Sequence, residues 1–381
     1  MGISLPAAAL AGCTAVLLLQ PVPAAAAADP AQQRRTSAGG GSVTSLPLGA
    51  DRALAPRATR PFELLGVGWN GPARSLDGGS VRVRTRDAAT HVWGDWQVLE
   101  ADGEDGPDAP GGGATAPLWT GPSDGVAVQV TAGPRGLPDG LRLDLVDPGQ
   151  GAAGAAGAAG RTLPAEPPDG RRAARPDIVT RAGWGADESL RDPQVEYTGP
   201  VRVVFVHHTA TATEYDCADA PRMIRAIYQY HVRSNGWRDI GYNFLVDRCG
   251  TLYEGRAGGA ELAVHGAHTL GFNTDSAGVA VLGTFVTDTP PPAVPDGLAR
   301  LAAWKLGLAG QDAGGRTQLV SGADGTRYPK GTAATFDAVS GHRDAVATEC
   351  PGATLYPLLP AVRTQAAALQ SAARPAAPWA R

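Results

Sequence analysis

Two histidines and a cysteine are the first residues to consider for chemistry, because imidazole and thiolate groups are both good zinc ligands. His342 and Cys350 lie eight residues apart in the segment SGHRDAVATECPG. His207 lies far upstream in VVFVHHT, at the end of an apolar run that is typical of a buried strand. Three protein ligands leave a fourth position for water, as a catalytic zinc site requires. The sequence therefore predicts a hydrolase that holds Zn2+ through these three side chains.

The cysteine count supports this interpretation. The chain has four cysteines, and Cys13 lies in an N-terminal segment that we expect to be removed on export. The three that remain are an odd number, as one disulfide and one metal thiolate would leave. We predict a disulfide between Cys217 and Cys249, whose closure would stabilise the domain by roughly 3–4 kcal/mol. A bond from Cys217 to Cys350 is the alternative, and it would destroy the metal site.

Composition and the N-terminus limit the partners and the location of the protein. The 381 residues carry a formal net charge of −4, which argues against nucleic acid as a partner. Residues 1–28 are apolar and Ala-rich and resemble a secretory signal peptide, although no Lys or Arg precedes Arg34. A lipoprotein cleavage box at residues 10–13 (LAGC) is the weaker alternative. Three prolines interrupt residues 1–28, so we expect no stable membrane insertion. The sequence has no coiled-coil pattern, and we expect a monomer.

Two domains and a linker are predicted along the chain. Residues 29–45 are polar, Gly-rich and without period, and we expect them to be disordered. Residues 46–149 contain alternating runs such as 81–86 (VRVRTR) and 141–145 (LRLDL), which predict an N-terminal all-β, sandwich-like domain. Residues 150–176 are rich in Gly, Ala and Pro and predict a flexible linker, across which the second domain would move relative to the first.

The C-terminal domain is predicted at residues 177–373, followed by a tail at 374–381. Strand and helix patterns alternate there: a helical pattern begins at Asp219, and residues 241–247 and 251–254 predict a β-hairpin. These elements predict an α/β domain in which helices flank a mixed central β-sheet.

Six short segments of this domain, in order, resemble the peptidoglycan recognition proteins, also called type 2 N-acetylmuramoyl-L-alanine amidases, of the secreted actinobacterial type. The segments are Thr180–Ala186 (TRAGWGA), Val206–Thr209 (VHHT), Gly236–Val246 (GWRDIGYNFLV), Tyr253–Arg256 (YEGR), Gly266–Thr269 (GAHT) and His342–Gly352 (HRDAVATECPG). The resemblance implies a mixed sheet with three helices around a surface groove. It also implies the zinc ligands His207, His342 and Cys350, which are the three residues selected above.

Further site residues follow from the resemblance. Tyr242 matches the catalytic tyrosine of the family, whose hydroxyl would stabilise the oxygen that gains negative charge; a buried sheet tyrosine is the alternative. Thr348 lies where phage members have a lysine, so a hydroxyl would take the polarising role. The positions implied to contact the muropeptide are His208, His231, His268 and Asn273. Each of these could instead be structural, and His208 could orient the zinc site.

The resemblance therefore predicts a secreted, wall-associated amidase that cuts the lactyl amide between N-acetylmuramic acid and L-Ala of peptidoglycan. The alternative is a non-catalytic protein that binds peptidoglycan in the same groove. Cys350 discriminates between the two, because non-catalytic members commonly replace this cysteine with serine.

Half of the eight tryptophans lie in the predicted β domain: Trp69, Trp93, Trp96 and Trp119. Exposed indoles would stack on sugar rings, as in a wall-binding module, whereas core or interface tryptophans are the alternative.

Overall fold

The structure, a computed structural model, describes residues 1–2, 33–36, 40–49, 52–71, 76, 78–100, 112–134, 136–151 and 173–373. The predicted signal peptide, apart from its first two residues, most of the predicted linker and the C-terminal tail lie outside these residues. Residues 31–381 form one unit, and the account below concerns that unit. Every helix within the described residues is too short or too polar to cross a bilayer.

The N-terminal domain is an antiparallel β-sheet. Its strands are β1 (Gln33–Thr36), β2 (Ser42–Pro47), β3 (Ala53–Asn70), β4 (Ser80–Asp87), β5 (Gln97–Leu99), β6 (Gly112–Ala114), β7 (Leu118–Thr131) and β8 (Arg142–Asp147). They are hydrogen-bonded in the order β1-β2-β8-β3-β7-β4-β5, and β6 pairs with β3. Along β4, Val81 and Val83 are fully buried while Arg82 is exposed, as the alternating sequence predicts. The prediction of an all-β domain is confirmed.

The prediction of disorder over residues 29–45 is wrong for the described part of that range, residues 33–36 and 40–45, most of which is strand. Strand β1 and most of β2 lie inside that range, and β2 pairs with β8 along its whole length. Val43, the second residue of β2, is buried in the core. Composition is a poor guide here because pairing with a strand a hundred residues away satisfies the backbone of this polar segment.

The four tryptophans of this domain have protein partners. The first and the last of them in the chain are buried in the core. Arg82 and Arg84 lie over the indole of Trp96, each 5.2 Å from the ring centroid, and Arg84 also lies 5.1 Å from the ring of Trp93. Such cation–π contacts stabilise a surface at modest energy. Trp69 and Trp119 therefore fit the alternative of core tryptophans, whereas sugar stacking by the partly exposed Trp93 and Trp96 stays a prediction.

The C-terminal domain is a mixed sheet with three helices. Its strands are β9 (Ile178–Val179), β10 (Val203–His208), β11 (Phe244–Val246), β12 (Leu252–Glu254), β13 (Ser276–Val281), β14 (Arg316–Val320), β15 (Ala333–Asp337) and β16 (Val339–Gly341), and its helices are α1 (Ala220–Gln229), α2 (Ala293–Gly307) and α3 (Leu359–Ala372). The main sheet has the order β16-β10-β13-β11-β12-β9, with β14 and β15 forming a separate hairpin. Only β11 and β12 pair antiparallel in the main sheet; the other described pairs are parallel. The predicted α/β fold is confirmed.

Strand β10 is the centre of this domain. Every residue of the strand is buried, and its side chains alternate between two apolar clusters. Val204 and Val206 join the cluster that contains α2 and α3, whereas Val203 and Phe205 join the one formed with β14 and β15. A strand that is covered on both faces has a continuous apolar sequence. For this reason the strand can be predicted from the sequence alone.

A disulfide joins the start of α1 to the hairpin predicted at 241–254, which the structure forms from β11 and β12. Cys217 and Cys249 are bonded, with their Cα atoms 6.3 Å apart. Cys350 is buried and is not part of a disulfide among the described residues. Helix α1 ends at Gln229, and a π-helical turn at Tyr230–Ser234 follows it.

The two domains share a core, so the expectation that they move independently across a linker is wrong. Val43, Leu64 and Val146 of the β domain belong to the same buried apolar cluster as α1. The amide of Gln229 donates to the carbonyl of Pro148 at 3.1 Å. Low complexity in residues 150–176 indicated a loose connection, but it carries no information about whether the folded domains on either side of it pack together.

The predicted linker is also shorter than expected at its C-terminal end. Ala173 is buried in the cluster with α2 and α3, and the guanidinium of Arg175 lies 5.9 Å from the ring of Trp304 on α2. Residues 173–176 therefore belong to the C-terminal domain.

Candidate metal centre

Parallel strand ends bring the three predicted ligands together. His207 lies near the end of β10, and His342 directly follows β16, which pairs in parallel with β10. The two imidazole centroids are therefore only 4.4 Å apart. Cys350 returns to the same place after the turn that begins at His342, and the three donor atoms lie within 4.8 Å of one another. All three side chains are buried.

The donor set fits zinc. Burial lowers the pKa of His207 well below its ordinary value and lowers the pKa of His342 to about 3, so both rings are neutral at pH 7 and can offer a lone pair. His207 Nδ1 lies 3.8 Å from Cys350 Sγ. Two such atoms on a tetrahedral zinc would be about 3.6 Å apart. The main-chain N–H of His208 donates to the same sulfur at 3.3 Å.

His268 fixes the far side of the His207 ring. Its Nδ1 lies 3.3 Å from His207 Nε2 and 2.9 Å from the hydroxyl of Thr269. The carboxamide oxygen of Asn273 accepts from the main-chain N–H groups of His268 and Thr269, at 2.8 and 3.0 Å, and so holds this loop. A partner on the second ring nitrogen is the usual way in which a metal-binding histidine is oriented.

Tyr242 packs beside the cluster. Its ring centroid is 5.4 Å from that of His207 and 5.7 Å from that of His231, and 7% of the residue is exposed. His231 belongs to the π-helical turn, where its Nδ1 accepts from the main-chain N–H of Gly241 at 3.1 Å. The ring of His231 also stacks on Trp237, with centroids 4.4 Å apart. The π-helical turn thus holds the backbone that carries Tyr242.

The remaining predicted residues are less exposed than substrate contacts would require in a rigid groove. The four positions matched to muropeptide contacts are each 4% exposed or less, and all have internal partners. Their role in substrate contact stays a prediction. Thr348 is half-buried, and its hydroxyl accepts from the main-chain N–H of Cys350 at 3.2 Å, which restrains the ligand-bearing turn.

One residue at this site comes from the β domain and was missed. Glu100, which follows β5, places a carboxylate oxygen 3.3 Å from His208 Nε2. No motif marks Glu100 in the sequence, since only the docking of the two domains brings it to the site.

Comparison with known proteins agrees with this geometry. Residues 197–353 match the family model described as N-acetylmuramoyl-L-alanine amidase. Peptidoglycan recognition protein 1 of Bos indicus is 33% identical over 182 residues, which cover 48% of this chain and 82% of that protein. The chain belongs to the peptidoglycan recognition protein family. Residues 20–166 match a second model, described as Rv3811 N-terminal galactose-binding domain-like, so this member carries an additional antiparallel β domain of that type.

Other relatives of this peptidoglycan recognition protein align over parts of their length. Peptidoglycan-recognition protein LE of Drosophila melanogaster is 39% identical over 113 residues, covering 30% of this chain and 31% of the relative. The human protein named N-acetylmuramoyl-L-alanine amidase is 34% identical over 193 residues, covering 48% of this chain and 28% of the relative. The solved structure of wild-type Drosophila PGRP-LB aligns at 28% identity over 48% of this chain and 91% of that chain, with a TM-score of 0.37.

Proposed function

We propose that this peptidoglycan recognition protein is a zinc-dependent N-acetylmuramoyl-L-alanine amidase. Its reaction would hydrolyse the lactyl amide between N-acetylmuramic acid and L-Ala of the stem peptide. The observation that carries the proposal is the convergence of two neutral imidazoles and the Cys350 thiol at adjoining strand ends. A site for binding alone has no chemical need for this donor set, whereas metal hydrolysis does.

His207, His342 and Cys350 would hold the zinc ion. When bound, zinc polarises the scissile carbonyl and lowers the pKa of a water molecule. The two histidines remain neutral because their burial disfavours the imidazolium form, so protons compete little with the metal.

Tyr242 and Thr348 would act on the substrate. The phenol of Tyr242, beside His207, would donate a hydrogen bond to the carbonyl oxygen as negative charge develops there. The hydroxyl of Thr348 would polarise the amide from the other side. Cleavage yields a lactyl carboxylate on the sugar and a free amine on L-Ala.

The wider setting is part of the proposal. We infer that the protein is secreted through the signal-like residues 1–28, acts on the cell wall as a monomer, and binds both the stem peptide and the glycan. A protein that recognises peptidoglycan without cutting it is the competing function, and the retained Cys350 favours the enzyme.

Purified full-length chain incubated with peptidoglycan sacculi, with and without a chelator, tests the proposal. Mass spectrometry should detect free stem peptides that begin at L-Ala, with glycan strands left intact and with release abolished by chelation and restored by Zn2+. Binding to sacculi without any release of peptide would instead assign the protein to the recognition class.

A further inference from the structure

A carboxylate of the β domain reaches the metal centre across the domain interface. Glu100 Oε2 lies 3.3 Å from His208 Nε2, and the His208 side chain is 2% exposed whereas that of Glu100 is 31% exposed. Glu100 also lines a cavity of about 260 Å³ together with the segment 210–213 that leaves β10. The contact therefore lies at the edge of the site, within reach of solvent.

The hydrogen bonds define the tautomer of His208. The main-chain N–H of Phe285 donates to His208 Nδ1 at 3.3 Å, so Nδ1 carries the lone pair. In the neutral ring the proton is then on Nε2, the atom that faces Glu100. The imidazole is thus held at both ends, by a backbone donor of its own domain and by an acceptor from the other domain.

The anchored ring is connected to the ligands through its own backbone. His208 directly follows His207, and its main-chain N–H donates to Cys350 Sγ at 3.3 Å. A His208 side chain fixed at both ring nitrogens restrains the position of this N–H, and so restrains the thiol that it contacts. Partners that hydrogen-bond directly to metal ligands commonly tune affinity or activity by 10- to 100-fold, and Glu100 lies one contact further from the ligands, so we expect its effect at or below the lower end of this range.

We propose that Glu100 is a positioning residue of the metal centre, supplied by the β domain, and that it acts through His208. The proposal rests on the proposed amidase function only for its kinetic consequence. The β domain therefore contributes a residue to the site. The Gly/Ala/Pro-rich composition of residues 150–176 did not indicate this contribution.

Three variants of the full-length chain test the proposal. Glu100→Ala removes the acceptor, Glu100→Gln keeps an oxygen that can accept from Nε2, and Glu63→Ala serves as the matched control. Glu63 pairs with Arg222 across the same interface, and no contact of its carboxylate with the metal centre occurs among the described residues. Each variant is examined by nitrogen NMR of the His208 ring in metal-free protein, by zinc affinity, and by kcat and KM on a soluble muramoyl peptide.

We expect Glu100→Ala to shift the Nε2 resonance of His208 while Nδ1 stays unprotonated, because the main-chain N–H of Phe285 still donates to it. We also expect this variant to weaken zinc binding and to lower kcat, each by up to about 10-fold, with KM little changed. Glu100→Gln should recover most of each loss, and Glu63→Ala should match the parent chain. An unchanged His208 spectrum and zinc affinity in Glu100→Ala would overturn the proposal, as would equal losses in Glu63→Ala. If the parent chain cuts no substrate, the amidase proposal fails, but the spectrum and the zinc affinity still decide the role of Glu100.

Discussion

The hydroxyl of Tyr230 donates a hydrogen bond of 3.0 Å to the main-chain carbonyl of Thr115, and it ties the π-helical turn of the C-terminal domain to the β domain. Tyr230 is fully buried, and its neighbour His231 holds the backbone beside Tyr242. Domain docking and the organisation of the site therefore share one turn of helix.

Gly66 of β3 leaves the space that Tyr230 occupies, since a Cβ atom there would overlap the tyrosine hydroxyl. We expect Gly66→Val to lower the free energy of unfolding by about 1–3 kcal/mol, the usual cost of overpacking. Gly94→Val is the matched control, because the nearest atom to a Cβ at Gly94 is 3.7 Å away. Urea unfolding of both variants measures the difference, and equal stabilities would contradict the importance of this contact.

Cys350→Ser should release zinc and abolish amidase activity while leaving muropeptide binding intact. Mutation of a residue that hydrogen-bonds to a metal ligand lowers metal affinity or activity by up to roughly 100-fold. Removal of a ligand itself should lower both by more than that. Metal content, peptide release from sacculi and binding to sacculi are the three measurements, with chelator-treated parent protein as the reference. Full activity in the variant would show that Cys350 is not a zinc ligand.

Tyr242→Phe should lower kcat by about 10²–10³-fold and leave zinc content unchanged, because only the donor to the developing oxyanion is lost. Tyr197→Phe is the control: Tyr197 is 55% exposed, and its hydroxyl donates to the carbonyl of Gly258 away from the ligands. Kinetics on a soluble muramoyl peptide separate the two variants. A Tyr242→Phe variant with parental kcat would leave this tyrosine with a packing role alone.

The buried side chain of Lys305 should make the free energy of unfolding depend on pH. Its ammonium donates to the carbonyls of Ala260 and Leu262, both at 2.7 Å, but burial lowers its pKa from 10.5 to about 7. Between these values the unfolded chain binds a proton that the folded chain does not, so this residue makes stability rise with pH across that window and adds no slope below it.

The measurement is the difference in unfolding free energy between the parent chain and Lys305→Met from pH 7.5 to 9.5. As the pH rises, the unfolding free energy of the parent chain should increase relative to that of Lys305→Met, by at most about 1.4 kcal/mol per pH unit. Parallel profiles for the two proteins would show that the lysine stays charged in the folded state.

The sequence was informative where local pattern and chemistry coincide. The apolar run of β10 is covered on both faces, so its end could be recognised and His207 selected. His342 and Cys350 were selected by their chemistry and by the family resemblance, and the structure brings both to His207. The C-terminal fold and the pairing of Cys217 with Cys249 followed from similar reasoning.

Packing between residues far apart in the chain could not be predicted from the sequence. The polar β2 is a strand because β8 pairs with it, and Glu100 reaches His208 only because the domains dock. Neither relationship leaves a period or a motif in the local sequence, since each depends on residues about a hundred positions away.

The common core of the two domains has a consequence for proteolysis. A protease that cuts the chain between residues 152 and 172 would break one peptide bond but none of the interface described above. The product should be two fragments that elute together under native conditions and separate only in denaturant. The amidase activity proposed above would then survive such a cut, because the interface and the candidate metal centre lie outside the cut segment.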